Sequence, residues 1–201
     1  LILGLDLGTS SIKAILIDQS GTLIKKSEAK LPIRRFDNQV EQDCNEYKRA
    51  LIEITTECQD FLLRIAAIGL SGQTPSLLGI DDFGNPTFPT LIWQDNRANL
   101  EAQELEREFG NPWNLIGTSL PWSASACPAK MLWISRNNPH WISKTRWLLQ
   151  PKDYLGFLLT GEAISDPWST KGLCNVRNRS AIDKLFEFCG WNPGVMPQLQ
   201  D

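Results

Sequence analysis

Asp6 closes a short apolar run, and Leu7, Gly8, Thr9, Ser10 and Ser11 follow at once, with Lys13 two residues further on. These residue types suit phosphate chemistry. Gly8 lets a ligand approach the backbone. The three hydroxyls and the successive N–H groups of a tight turn donate hydrogen bonds to an anion, and Lys13 adds positive charge. A carboxylate repels phosphate, so Asp6 can serve such a site only through a cation: it can hold Mg2+ or the metal's water shell, and the metal then meets the phosphate. One acid beside a hydroxyl-rich turn is therefore a coherent Mg-nucleotide site. The alternative is an ordinary hairpin turn that carries a surface acid. Two other phosphate loops are excluded. The chain has no G-x-x-x-x-G-K-[ST] run. Gly4 and Gly8 do not fit G-x-G-x-x-G, and a hairpin follows them instead of a helix.

The elements that must position this turn follow from periodicity. Leu1–Leu5 and Ile12–Asp18 read as strands, Gln19-Ser20-Gly21 as a turn, and Thr22–Ala29 as a third, antiparallel strand. Pro32 to Val40 reads as a polar connection. Asp43 reads as a helix N-cap with Glu46 at capping-box spacing, followed by Tyr47, Ala50, Leu51, Ile54 and Cys58 on one apolar face. Ile65–Leu70 is a continuous apolar run after that helix, which predicts a buried strand parallel to the first. The order strand–strand–strand–helix–strand implies an α/β protein with a mixed sheet. Beyond Ser71, Leu77–Ile80 and Leu91–Trp93 read as short strands around a turn. Arg97–Phe109 reads as a charged helix ended by Gly110, and the stretch from Pro112 to Leu159 as mostly helical.

The 201 residues, 42% hydrophobic, suffice for one good core or two small ones. A net charge of −3 argues against nucleic acid or an anionic membrane as partner. No apolar run approaches the roughly 20 residues that cross a bilayer. The chain opens on Leu1 with no basic n-region, so no secretory signal is visible and the start reads as trimmed. Five cysteines, odd in number and widely spaced, suit reduced thiols in a cytoplasmic protein better than disulfides or a zinc site.

The segment "LDLGTSSIKAILID" (Leu5–Asp18) resembles the first phosphate motif of the actin-like ATPase superfamily, whose sheet is of the ribonuclease H-like kind. "GLSGQTPSLLGIDDFGNPTFPTLIWQDNRA" (Gly69–Ala98), with its Gly-x-x-x-Gln, D-x-x-G-x-P turn and W-x-D-x-R run, resembles the matching stretch of the FGGY carbohydrate kinases. "LLQPKDYLGFLLTGEAISDPWSTKGL" (Leu148–Leu173) resembles that family's P-K-D-Y-L block. These segments keep the family's order and approximate spacing over nearly the whole chain.

The resemblance implies an incomplete N-terminal domain over residues 1–201, with core hairpins and strand to about residue 71 and a helical, sugar-binding insertion from about 72 onward. It implies phosphoryl transfer from ATP to a sugar or polyol hydroxyl, with a pentulose such as xylulose or ribulose as substrate. Asp6 would lie at Mg2+ and the transferred phosphate, and Gly8, Thr9, Ser10, Ser11 and Lys13 at the nucleotide phosphates. Gln73, Thr74, Trp93, Gln94 and Asp95 would line the sugar pocket. An indole packs well on a sugar's C–H face while polar neighbours take its hydroxyls; a core aromatic is the alternative for Trp93. Arg97 is expected to pair with a nearby acid. A small-molecule sugar is the expected partner, and a homodimer is one assembly the resemblance allows.

The chain departs from the family in places. Glycerol kinases carry Arg-Glu after the glutamine and xylulokinases Met-His, where this chain has Thr74-Pro75, and Ser125 falls near a tyrosine of glycerol kinases. The family's general base is an aspartate in a glycine-rich segment that is expected beyond residue 201. Asp153 is expected to begin a helix and Asp166 to make a turn, instead of replacing that base. His140 reads as a surface or cap residue and Glu101–Phe109 as a solvated helix face. The competing reading is a non-catalytic module that binds a sugar or nucleotide without phosphoryl transfer.

Overall fold

The computed structural model describes residues 1–200. β1 (Ile2–Leu7) and β2 (Ser11–Ile17) run antiparallel across the Gly8–Ser10 turn, and β3 (Leu23–Lys30) returns beside β2. Strand alternation assigns the faces. Leu3, Leu5 and Leu7 and their neighbours Ile12, Ala14 and Leu16 are buried, whereas Asp6 and Lys13, which face each other in register, are exposed. The second turn is held by the Asp18 carboxylate, which accepts from the N–H groups of Ser20 and Thr22.

The segment expected to be a polar connection is instead a hairpin. β4 (Arg34–Phe36) and β5 (Gln39–Gln42) pair across the two-residue loop Asp37–Asn38, with Asp37 at φ 51°. α1 (Cys44–Glu57) begins as expected at Asp43, whose carboxylate accepts from Asn45 N–H at 2.9 Å; Glu46 pairs with Arg49 at 2.7 Å. After one 3-10 turn, β6 (Ala67–Gly72) lies parallel to β1, giving the order β3-β2-β1-β6. The strand is where the sequence puts it, but the expected burial is not. β6 is the edge strand, Ile68 is 42% exposed, and Leu62, Leu63 and Leu159 also stay exposed.

Downstream come β7 (Leu78–Ile80), β8 (Thr90–Leu91), α2 (Asn99–Phe109), α3 (Trp113–Ile116), α4 (Cys127–Asn137) and α5 (Pro139–Ile142). Then follow β9 (Trp147–Leu149), α6 (Pro151–Thr160) and α7 (Asp183–Cys189). Periodicity misses β9, a three-residue strand within the stretch read as helical; it pairs antiparallel with β7. β8 pairs with β5 and so ties the missed hairpin to this half of the chain.

Two cores result. One lies between the four-stranded sheet and the helices α1 and α6, with Tyr47, Ile54, Tyr154 and Leu155 packed on the strand leucines. The other gathers α2, α4 and α7 around Leu105, Met131 and Phe186. β7 and β9 stand between the two. Leu78, Ile80 and Leu149 join the first core, while Leu77 and Leu148 join the second. The chain therefore crosses back into the first core after residue 72. All five cysteines are buried and free.

Candidate active site

Asp6, Lys13 and Ser71 form one row across three strands, near the C-terminal ends of the parallel pair β1 and β6. Ligands bind open α/β sheets at that end. No other side chain among the described residues engages the Asp6 carboxylate. The turn itself is closed by Gly8 N–H donating to Ser11 O at 3.0 Å. A Cβ on Gly8 would meet only Ser11 O at 3.4 Å, an ordinary contact. Nothing among the described residues demands glycine there, and its backbone is left bare.

Thr9 is the joint of the site. Trp93, 86 residues beyond Leu7 and half-exposed, donates its indole N–H to Thr9 Oγ1 at 2.9 Å. A hydroxyl that accepts this bond still has its own proton to donate. Gln42 donates to Thr9 O at 2.9 Å and accepts from Gln73 Nε2 at 2.7 Å and from the Tyr47 hydroxyl at 2.9 Å. The phosphate turn and the candidate sugar segment are thus joined directly at Trp93 and through Gln42. Gln73 Oε1 is buried without a partner among the described residues. An orphan acceptor of this kind keeps its hydrogen-bonding capacity unspent.

Thr74 is exposed, and Gln94 is partly exposed with its Oε1 accepting from Arg35 at 2.6 Å. Two expected ligands are not free. Ser11 is 2% exposed, on the same strand face as Lys13, and its hydroxyl is engaged by the Glu28 carboxylate. Lys30 and Ser11 together hold the Glu28 carboxyl below its ordinary range. Asp95 is fully buried, and both its oxygens are taken. Arg97 Nε reaches each at 2.9 Å, Arg97 Nη2 reaches Oδ2 at 2.8 Å, and Val40 N–H reaches Oδ2 at 2.6 Å. Asp95 therefore holds its own segment to the β4–β5 hairpin, together with Glu41, which accepts from the same guanidinium at 2.9 Å. The expected pairing of Arg97 with an acid is present.

Asp153 and Asp166 are both engaged. Asp153 stands at the third position of α6, not at its cap. It accepts from Gln150 N–H (3.1 Å), Ser165 Oγ (2.6 Å) and Lys152 Nζ (2.7 Å). Burial raises its carboxyl against those three donors. Asp166 makes the expected turn, accepting from Trp168 N–H and Ser169 N–H at 2.9 Å each. Burial opposes its ionisation, yet Ser169 and Lys152 hold its pKa down at about 2. His140 is exposed at the start of α5.

Sequence reading missed Gln42, Arg35 and Glu41, because the hairpin that carries them was not recognised. The signal was available in the two turn-forming residues Asp37-Asn38 between short extended runs.

A xylulose kinase of Lactococcus lactis subsp. lactis is 29% identical over 205 residues, covering 98% of this chain and 41% of that protein. A crystal structure described as a "xyloylose kinase from Brucella ovis" is 30% identical, superposes with a TM-score of 0.89, and covers 99% of this chain and 43% of its own. Plasmodium falciparum glycerol kinase with ADP shares the fold at a TM-score of 0.89 and 21% identity, over 99% of this chain and 42% of its own. The chain thus spans about two fifths of the length of these relatives. The fold is that of the actin-like ATPases. The family model for the N-terminal domain of FGGY carbohydrate kinases matches residues 1–201, and the chain belongs to that family.

Proposed function

We propose that this chain is the sugar-binding part of an ATP- and Mg2+-dependent carbohydrate kinase that acts on a terminal hydroxyl of a pentulose such as xylulose or ribulose. The hydrogen bond from Trp93 to Thr9 carries the reading, because it sets the indole suited to a sugar's C–H face against the turn suited to phosphate. The unengaged Asp6 carboxylate and the bare backbone at Gly8 fit a hydrated Mg2+ and a nucleotide phosphate. Mg2+, when bound, supplies neutralisation of charge on the transferred phosphoryl group. Asp6 would hold it or its water shell. Gly8, Thr9 and Ser10 offer backbone and hydroxyl donors to phosphate oxygens, and Lys13 adds a cation in the same row as Asp6. Gln73 Oε1 would take a sugar hydroxyl, and Thr74 and Gln94 would border the substrate. Asp153 and Asp166 are too fully engaged to deprotonate a sugar, so we assign the general base to an aspartate outside this chain.

Thr74-Pro75 offers fewer donors than the Arg-Glu of glycerol kinases, which favours a longer chain that can stack on Trp93 over a small triol. The test is a panel assay of the protein that carries this chain, with ATP, Mg2+ and xylulose, ribulose or glycerol. The expected result is turnover with a pentulose at a rate of about 1–100 s⁻¹ and a much higher KM for glycerol. Preference for glycerol would overturn the substrate reading, and absence of turnover with every sugar or polyol would overturn the kinase reading.

A further inference from the structure

Lys130 lies in α4 among the buried residues Cys127, Ala129, Met131 and Leu132, and is itself 0% exposed. No carboxylate forms an ion pair with it among the described residues. Its ammonium donates instead to three main-chain carbonyls: Leu91 O and Ile92 O at 3.0 Å each, and Pro75 O at 3.3 Å. An ammonium has three N–H donors and no acceptor, so three carbonyls satisfy it. Leu91 O and Ile92 O already accept from Leu77 N–H and Asp95 N–H, so the ammonium is a second donor to both. A buried ammonium carries a desolvation cost that an apolar side chain at the same place would avoid. What it does here is join two segments far apart in sequence. Pro75 directly follows Gln73 and Thr74, and Leu91 and Ile92 directly precede Trp93.

We propose that Lys130 is a positioning residue for the sugar pocket: its ammonium ties the Pro75 carbonyl to those of Leu91 and Ile92, and so fixes the Gln73–Thr74 segment relative to Trp93. The inference rests on reading this site as a sugar pocket and assigns a role to a side chain that touches no substrate.

The clamp depends on protonation, since a neutral amine has two N–H groups for three carbonyls. The charged and titratable groups around it are Cys127 on the same helix and Asp95 and Arg97 on the segment before α2. Asp95 and Arg97 form an ion pair, and burial raises the Cys127 thiol. Burial brings the Lys130 ammonium down to about 8, with Cys127 and Asp95 opposing that shift and Arg97 adding to it. The third bond is therefore lost between about pH 7 and 9.

Two measurements on the protein that carries this chain test the proposal. The first is the KM and kcat for xylulose, or whichever panel sugar turns over, from pH 6.5 to 9.5 (working range of about three units around the ammonium's value). The wild type should show sugar KM rising about fivefold between pH 7 and 9, the effect of one lost hydrogen bond. Lys130→Met should raise sugar KM about tenfold or more and remove that pH dependence, with ATP KM and saturated kcat within about twofold. Lys130→Arg, which keeps a cation at every pH, should recover most of the wild-type KM and hold it flat. The second measurement is amide hydrogen exchange without substrate. In Lys130→Met the amides of Ser76 and Leu77 and those of Leu91 to Asp95 should lose protection together while β1 to β3 keep theirs. Unchanged sugar KM, or protection lost throughout or at only one of the two segments, would overturn the proposal. The wild-type pH series needs no substitution, and the exchange experiment needs no turnover, so failure of the clamp and failure of the kinase reading are read separately.

Discussion

Replacing Arg97 by methionine should destabilise the protein by about 3 kcal/mol, and the size follows from what Asp95 would lose. Asp95 is fully buried and accepts five hydrogen bonds, three of them from the Arg97 guanidinium. Removing one partner of a buried ion pair costs roughly 3–5 kcal/mol, because the other charge is left in a poor solvent. Asp95 would keep the N–H of Val40 and that of residue 97, which places the cost at the lower end of the range. Methionine also gives up the guanidinium stacked 4.9 Å over the Trp133 ring and the bond to Glu41. The assay is urea unfolding followed by tryptophan fluorescence. With a slope of about 3 kcal/mol per molar urea, the midpoint should fall by about 1 M. Adding Asp95→Asn removes the stranded charge, so the double variant should recover part of the loss. A midpoint shift below about 0.3 M, or a double variant no more stable than Arg97→Met alone, would refute the view that Asp95 is a satisfied buried anion and restore it as a free ligand.

Gln42→Ala should raise the KM values for both ATP and sugar, by about fivefold each, since it removes the bonds to Thr9 O and Gln73 Nε2 together; steady-state kinetics that show only one affected would break that link. Asp166→Asn should be destabilising at pH 7. The folded Asp166 titrates at about 2 against an ordinary 3.8, so its contribution is complete above the ordinary value and lost as pH falls through 2. Unfolding midpoints of wild type and variant should therefore converge by about pH 2, and parallel curves would contradict the assignment. Burial pushes Cys44 up to about 11 and Cys189 up to about 12, so alkylation at pH 8 with peptide mapping should leave both unlabelled until denaturant is added.

The sheet was legible because its signals are local. Two tight turns and one capped amphipathic helix fix β1, β2, β3 and β6 in order and direction. The burial of β6 was not legible, because "IAAIGL" is equally apolar whether neighbours cover it or not, and here it lies at the sheet edge. β9 escaped notice because three residues, Trp147–Leu149, show no period, and only its pairing with β7 defines it. At the site, residue types pointed to Asp6 and Thr9 and the family resemblance to Gln73 and Trp93, but neither says whose hydrogen bonds are already spent. Ser11 and Asp95 look like free ligands in sequence and are already engaged in the fold, by Glu28 and by Arg97 with Val40. For Asp95 the partner two residues on could be read in advance. The convergence of Gln42 on Thr9 and Gln73 could not, since it depends on how β5 is placed by β8.

The central claim, that a phosphate turn on Asp6 and Thr9 and a sugar wall on Trp93 form one kinase site, is tested most directly by comparing two substitutions in the protein that carries this chain. Asp6→Ala should lose most of kcat while sugar KM stays within about threefold, because Asp6 is proposed to act where charge develops on the transferred phosphoryl group. Trp93→Ala should do the reverse and raise sugar KM by about tenfold or more, as the indole bonded to Thr9 is lost. Full kcat in Asp6→Ala, or an unchanged sugar KM in Trp93→Ala, would contradict the account.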